Sequence, residues 1–279
     1  MPTAVPATRD DSPVVAPKEA TGAPHRPARR GSRAAARARP GRAGGATIRR
    51  EPTTPPRSRR PVNRPPTTPR PAGHPPRPRF ARRLARANAA ADARGGAAHR
   101  RELLCPARGH VVEVGCGDGL NFPAYPAAVA RVTAVEPEPT LRDLATRAAA
   151  SAPVSVTVVD GVASRLPVGD GEAEAVVFSQ VLCSVGDVPA ALREARRVLA
   201  PGGVVLLYEH IRSDRPVPAA LQTVVSPLWA RAAGGCRLDV DLPRHLAAAG
   251  FAVDARRFGF APSPGAPPVT FLLGTARPA

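Results

Sequence analysis

The stretch V-V-E-V-G-C-G-D-G, residues 111–119, decides how this chain is read. Its β-branched run has the look of a short buried strand, and it stops abruptly in glycines at positions 115, 117 and 119. Glycines there let the backbone turn tightly and approach a ligand closely, and a following helix end would add free N–H groups. An ordinary strand-to-helix turn also uses glycine, so the meaning of the loop rests on what surrounds it.

Working outward, VTAVE, VSVTVVD, AEAVVFSQ and GGVVLLYEH read as further buried strands of the parallel type. Helical stripes lie between them. Leu141, Leu144, Ala145 and Ala148 recur at helical spacing, as do Val188, Leu192, Ala195 and Leu199. Pro139 suits a first helical turn, Asp187 an N-cap, and Pro201-Gly202-Gly203 a stop before the next strand. Beyond a helix around residues 242–249, FAVDARRF and VTFLLGTA read as two strands joined by the Pro-rich loop APSPGAPP and closing the sheet as an antiparallel pair. Upstream, residues 80–109 form a helical lead-in or lid, interrupted at Gly95-Gly96. Alternating strands and helices predict an α/β fold: a doubly wound, mostly parallel seven-stranded sheet with an antiparallel C-terminal strand.

Glu136 closes the second strand, seventeen positions beyond Gly119. That is close to the spacing at which a strand-end carboxylate accepts both hydroxyls of a ribose. The loop itself runs G-x-G-x-G with Glu113 two residues before it; the third glycine of a G-x-G-x-x-G dinucleotide loop would fall at Leu120. This difference favours S-adenosylmethionine over a nicotinamide cofactor.

With E-V-G-C-G-D-G, Glu136 and the string R-V-L-A-P-G-G at 197–203, the chain resembles class I, Rossmann-like S-adenosylmethionine-dependent methyltransferases. GLNFPAYP, AVEPEP, LCSV, YEH and GGC narrow the resemblance to the thiol methyltransferase-like, small-molecule subgroup of the type 11 family. The resemblance spans residues 80–279. It implies S-adenosylmethionine as cofactor, bound by Glu113, Gly115, Cys116, Gly117, Gly119, Asn121, Glu136, Pro137, Asp160, Val162, Ala163 and Ser179. It also implies a short, proline-broken first crossover, which Pro123 and Pro126 match, and it puts Gln180 beside Ser179 at the methionine end of the cofactor. Many relatives carry an acidic residue where this chain has Val162, which leaves Asp160 as the nearest substitute for holding the adenine.

Ligands of open α/β sheets sit beyond the carboxyl ends of the strands, so Glu209 and His210 fall near the methyl acceptor. His210 is the candidate general base, set against the simpler reading of a strand-end histidine bonded to backbone. Leu228 and Trp229 are candidates for the roof of an apolar acceptor pocket. Cys105, Cys116, Cys183 and Cys236 form no C-x-x-C pair, which argues for no metal site and no disulfide framework and fits a reducing cytoplasm.

Residues 1–79 read as a disordered Arg/Pro/Ala-rich tail. The whole +18 net charge arises in the first hundred residues, since the remainder holds equal numbers of acidic and basic groups. Half of the 36 prolines also precede Phe80, with few large apolar residues among them to offset chain entropy. A second reading is that part of this tail is translated upstream of the true start. Binding of the tail to nucleic acid is conceivable electrostatically but not favoured, because no aromatic residue precedes Phe80 to stack on bases. No run of eighteen apolar residues predicts a membrane span.

Three functions remain open at this stage: a small-molecule methyltransferase, a nucleic-acid-associated methyltransferase that uses the basic tail, and an S-adenosylmethionine-binding protein without catalysis. The first is preferred, because the fourth strand ends in S-Q-V-L rather than in the polar-Pro-Pro-aromatic pattern of enzymes that methylate base amino groups.

Overall fold

A computed structural model describes residues 74–262, 265 and 267–279. The expected tail, up to residue 73, and residues 263, 264 and 266 of the Pro-rich loop lie outside the described residues.

Helix α1 (Pro78–Ala91) opens with proline at a position whose N–H would have no partner anyway. It passes through a π-turn at Asp92–Gly96, where Gly95 has φ +113°, into α2 (Ala97–Leu104). The interruption expected at Gly95-Gly96 is therefore a kink in one helical lead-in. Arg100 is buried and ion-paired with Asp92 across this kink.

The strands are β1 (Gly109–Val114), β2 (Val129–Val135), β3 (Ser155–Val159), β4 (Ala173–Ser179), β5 (Leu199–His210), β6 (Phe251–Phe260) and β7 (Val269–Pro278). They form one sheet in the order β3-β2-β1-β4-β5-β7-β6, in which β7 alone runs antiparallel to its neighbours. The order reverses between β1 and β4, the switch point where open α/β sheets bind ligands. Both faces are covered, as parallel sheets require. On one face Val112, Val114, Val176 and Leu207 pack with α4 (Val188–Val198) and α6 (Leu242–Ala248). On the other Val111, Val177, Leu206 and Tyr208 pack with Leu103 and Leu104 of α2 and with Ala145 of α3 (Pro139–Ala149).

Two local expectations are corrected. The stripe expected to include Leu199 stops at Val198, and Leu199 is already extended, pairing with Ala173. Pro201 ends the helix close by, because a proline disfavours helical backbone at the residue before it, here Ala200, and Leu199 already pairs into the sheet. The Pro-Gly-Gly element accordingly lies inside β5 at an irregularity, rather than ahead of the strand. The sequence reading also left out α5 (Pro216–Ala232), a helix with Pro227 in its interior and Val217, Leu221, Val224 and Leu228 exposed.

Candidate functional site

The loop after β1 is shaped from below by a buried carboxylate. Glu113 is 2% exposed; its Oε1 accepts from Asn121 Nδ2 at 2.8 Å and its Oε2 from Tyr125 OH at 2.7 Å. Burial pushes its pKa up to about 7, against the lowering effect of those two bonds. Glu113 and Asn121 therefore brace one another beneath the loop. The helix end expected after the glycines is absent: the β1–β2 crossover holds only a short 3-10 turn at Phe122–Ala124, with Pro123 within it. This agrees with the proline-broken crossover; the N–H groups of Gly115, Cys116, Gly117 and Gly119 are already bonded within the protein, so the turn offers a ligand close approach to its backbone rather than free donors.

Gly115 has φ +66°, and a Cβ there would stand 2.3 Å from Val181 Cγ2, so the loop packs against the segment following β4. Gly117 differs in the respect that matters. Its φ is +59°, yet a Cβ would meet nothing within 4 Å, so the backbone is exposed to open space where a ligand can approach it. Cys116 is buried between them, and burial pushes its thiol well above the usual range, which makes it an inert packing group.

Glu136, at the end of β2, leans over this loop. Its Oε2 accepts from the Gly117 N–H at 2.9 Å and its Oε1 from the Glu138 N–H at 3.0 Å. Burial raises its pKa to about 7, with the two backbone bonds pulling the other way. Each carboxylate oxygen retains a lone pair, so the group can accept two hydroxyl donors from a ribose while keeping its backbone anchors. Glu138 caps α3 through Leu141 N at 2.6 Å and takes the Arg77 N–H at 2.5 Å, which ties the start of α1 to the site. Asn88 Nδ2 of α1 donates to Asp118 Oδ1 at 3.2 Å, so the lead-in helix lies across the glycine loop.

The remaining predicted cofactor residues fall around the same edge. Pro137 is half-buried between Glu136 and Glu138. Asp160 is exposed and ion-paired with Arg142 at 3.2 Å, and the same guanidinium bonds to the Glu136 carbonyl. Val162 pairs with Arg165 in an isolated bridge, and Ala163 packs on the core. Ser179 is half-buried at the end of β4, and Gln180 after it has φ +58°, the sole positive value outside glycine among the described residues. Such strain at a strand end is commonest where a site demands it. Glu209 Oε1 accepts from Val181 N at 2.7 Å and from Leu182 N at 2.9 Å, fixing the segment that follows.

His210 sits at the end of β5 with its Nε2 3.0 Å from Cys236 Sγ. Cys183 joins them: the ligand-type atoms of Cys183, His210 and Cys236 all lie within 4.8 Å of one another. Sequence spacing had scattered these cysteines, and only the sheet topology brings them to one strand edge. Trp229 Nε1 reaches Cys236 Sγ at 3.4 Å, whereas Leu228 points outward, 71% exposed, and does not roof this region.

A buried ribose-type carboxylate over an open glycine turn, at the switch point of the sheet, fits S-adenosylmethionine. Residues 112–207 match the family model of a methyltransferase domain. The chain is 32% identical over 145 residues to thiol S-methyltransferase TMT1B of Rattus norvegicus and 34% identical over 145 residues to that of Homo sapiens. Each alignment covers 50% of this chain and 59% of the relative, so the chain spans under two thirds of the curated relatives' length. A solved S-adenosylmethionine-dependent methyltransferase from Thermotoga maritima superposes with a TM-score of 0.54 at 20% identity, covering 72% of this chain and 97% of that one. The match of residues 112–207 to a methyltransferase domain, the likeness to the thiol S-methyltransferases, the glycine turn and the Glu136 carboxylate support a class I S-adenosylmethionine-dependent methyltransferase domain, and the sheet order and the solved structure agree with its fold.

Proposed function

We propose that the protein transfers a methyl group from S-adenosylmethionine to a small-molecule thiol. The observation that carries this reading is the pairing of the Glu136–Gly117 cradle with a second polar centre, His210 and its two thiol neighbours, at the same edge of the sheet. The likeness to thiol S-methyltransferases supports the same acceptor class.

In this reading Glu136 holds the ribose, the Gly117 backbone borders the cofactor, and the strained Ser179–Gln180 corner borders its methionine end. S-adenosylmethionine supplies a methyl group already activated on a sulfonium, so alignment of the acceptor lone pair with the S–CH₃ bond does most of the catalytic work. A thiol must first lose its proton, and in this reading His210 assists that loss. Methyl transfer to a panel of aliphatic and aromatic thiols, read as formation of the methyl thioether, tests the reading. Turnover well above a Glu136→Ala control supports it. Transfer confined to oxygen, nitrogen or nucleic-acid acceptors overturns it.

A further inference from the structure

We infer that Cys183, His210 and Cys236 form a three-ligand site for a zinc-type metal ion whose fourth position takes the acceptor thiol. This deepens the function proposed above and rests on it for the identity of the fourth ligand. The three side chains come from three different places: the segment after β4, the last residue of β5, and the turn beyond α5. Two sulfurs and an imidazole nitrogen are a donor set that selects zinc and disfavours magnesium or calcium, which take oxygen ligands.

The distances suit the ion. Zinc bonds sulfur at about 2.3 Å and imidazole nitrogen at about 2.0–2.1 Å, which in a tetrahedron puts neighbouring ligand atoms about 3.5–3.8 Å apart. Here His210 Nε2 and Cys236 Sγ lie at 3.0 Å, and the whole set falls within 4.8 Å, so small side-chain rotations bracket the requirement. His210 is 7% exposed and its Nε2 is the nitrogen beside Cys236 Sγ, so Nε2 is the atom that would bind the ion; its buried Nδ1, which has no hydrogen-bond partner among the described residues, would take a bound water, as the second nitrogen of a metal-bound imidazole commonly does.

Among the described residues no fourth histidine, cysteine or carboxylate joins the cluster. Three protein ligands with one position left for an outside molecule is the arrangement of catalytic rather than structural zinc sites. A thiol entering that position releases its proton to solvent and is held as a thiolate, the form that can attack a sulfonium methyl. His210 then assists deprotonation as a ligand rather than as a base. Cys236 is the half-buried member of the set, so an incoming thiol has a route to the ion beside it.

The test uses the full chain loaded with cobalt(II), which reports tetrahedral thiolate ligation by its visible bands and its sulfur-to-metal charge transfer. We expect about one tightly held equivalent of zinc or cobalt per chain, as for a single three-ligand site. The charge-transfer band should weaken in Cys183→Ser and fall with metal retention in Cys236→Ser and His210→Gln, while circular dichroism shows the fold intact. Adding dithiothreitol as a thiol probe should shift the cobalt bands of the wild type. The inference is overturned if wild-type protein shows no thiolate band, or if metal-stripped protein methylates thiols at the full rate. The second result would leave the thiol methyltransferase reading standing. A thiol-sensitive cobalt site in a protein that methylates no thiol would keep the metal site and remove the reading on which its fourth ligand rests.

Discussion

The carboxylate of Glu136 and the backbone N–H of Gly117, nineteen positions apart in sequence, meet at 2.9 Å across the ends of β1 and β2. This bond sets the shape of the cofactor cradle, because it fixes the glycine turn against the group that is to hold the ribose. Gly117→Val places a side chain in the open space beside the turn and forces a β-branched residue to positive φ. We expect it to weaken S-adenosylhomocysteine binding by more than about a hundredfold, at a stability cost of about 1–2 kcal/mol. Glu136→Ala loses hydrogen bonds to a charged group and should weaken binding about ten- to a hundredfold. Calorimetric titration measures both, and wild-type affinity in Gly117→Val would remove the cradle from this position.

Binding should also depend on pH through Glu136. In the unliganded protein burial holds its pKa at about 7, so below neutrality the group is largely protonated. Ribose hydroxyls donate to the ionised form and pull the pKa down on binding, so the ligand favours the carboxylate. Affinity is therefore expected to rise from pH 6 to pH 8, by up to about tenfold per unit below the free protein's pKa. Titrations at three pH values should show this slope in the wild type and a flat profile in Glu136→Gln.

Glu113 acts on stability instead. Its pKa rises from 4.5 in the unfolded chain to about 7 when folded. Between those values the folded state keeps a proton that the unfolded state has lost, so stability falls as pH rises across this window. The contribution is fully present below about pH 4.5 and lost once the pH passes about 7. Glu113→Gln stays neutral throughout, and its melting temperature should gain on the wild type from pH 5 to pH 8. Tyr125→Phe removes the 2.7 Å donor from a buried oxygen and should cost about 1–3 kcal/mol at neutral pH.

Arg197, the arginine of R-V-L-A-P-G-G, clamps the chain between β3 and β4. It binds both oxygens of Glu194, the Asp170 carboxylate at 2.7 Å, and the carbonyls of Leu166 and Val168. None of these partners belongs to the cofactor cradle. Arg197→Ala should lower stability by about 1–3 kcal/mol while leaving cofactor affinity within about twofold. Arg197→Lys should rescue little, since an ammonium cannot span this planar set of acceptors. Denaturant unfolding and calorimetry separate the two effects.

What was legible in the sequence was local. Glycines after a β-branched run, Pro139 at a helix start and Asp187 at a cap each act on their own stretch of backbone, and each appears where the pattern put it. The strands buried on both faces were readable as apolar runs. Helix α5 was missed because Pro216, Pro218 and Pro227 read as breakers and its apolar residues show no stripe, although proline in a first turn costs little. That Glu113 is braced by Asn121 and Tyr125 was not readable from its motif position, because those partners are set by how the crossover folds beneath the loop. The Cys183, His210 and Cys236 cluster showed no metal-ligand spacing, although its members lie in the LCSV, YEH and GGC strings, because they meet only when β4 and β5 lie side by side and α5 folds back to the same edge.

The lead-in helix offers the most direct reading of how the site closes. Helix α1 touches the cradle at Asp118 through Asn88 and at Glu138 through the Arg77 N–H, and it reaches the end of α5, where Arg83 bonds to the Ala232 carbonyl at 3.1 Å. It buries only Ala81 and Ala91 fully, so few apolar contacts hold it down against these polar ties. Segments of that kind open locally at low free-energy cost, and a ligand that bridges them to the cradle slows the opening. Amide hydrogen exchange in α1 should therefore slow by about ten- to a hundredfold at saturating S-adenosylhomocysteine, while exchange in β4 and β5 changes little. Asn88→Ala should reduce that protection and speed ligand release without altering the melting temperature by more than about 2 °C. Equal protection of α1 with and without ligand would make the helix a fixed wall of the domain rather than a cover over its cofactor.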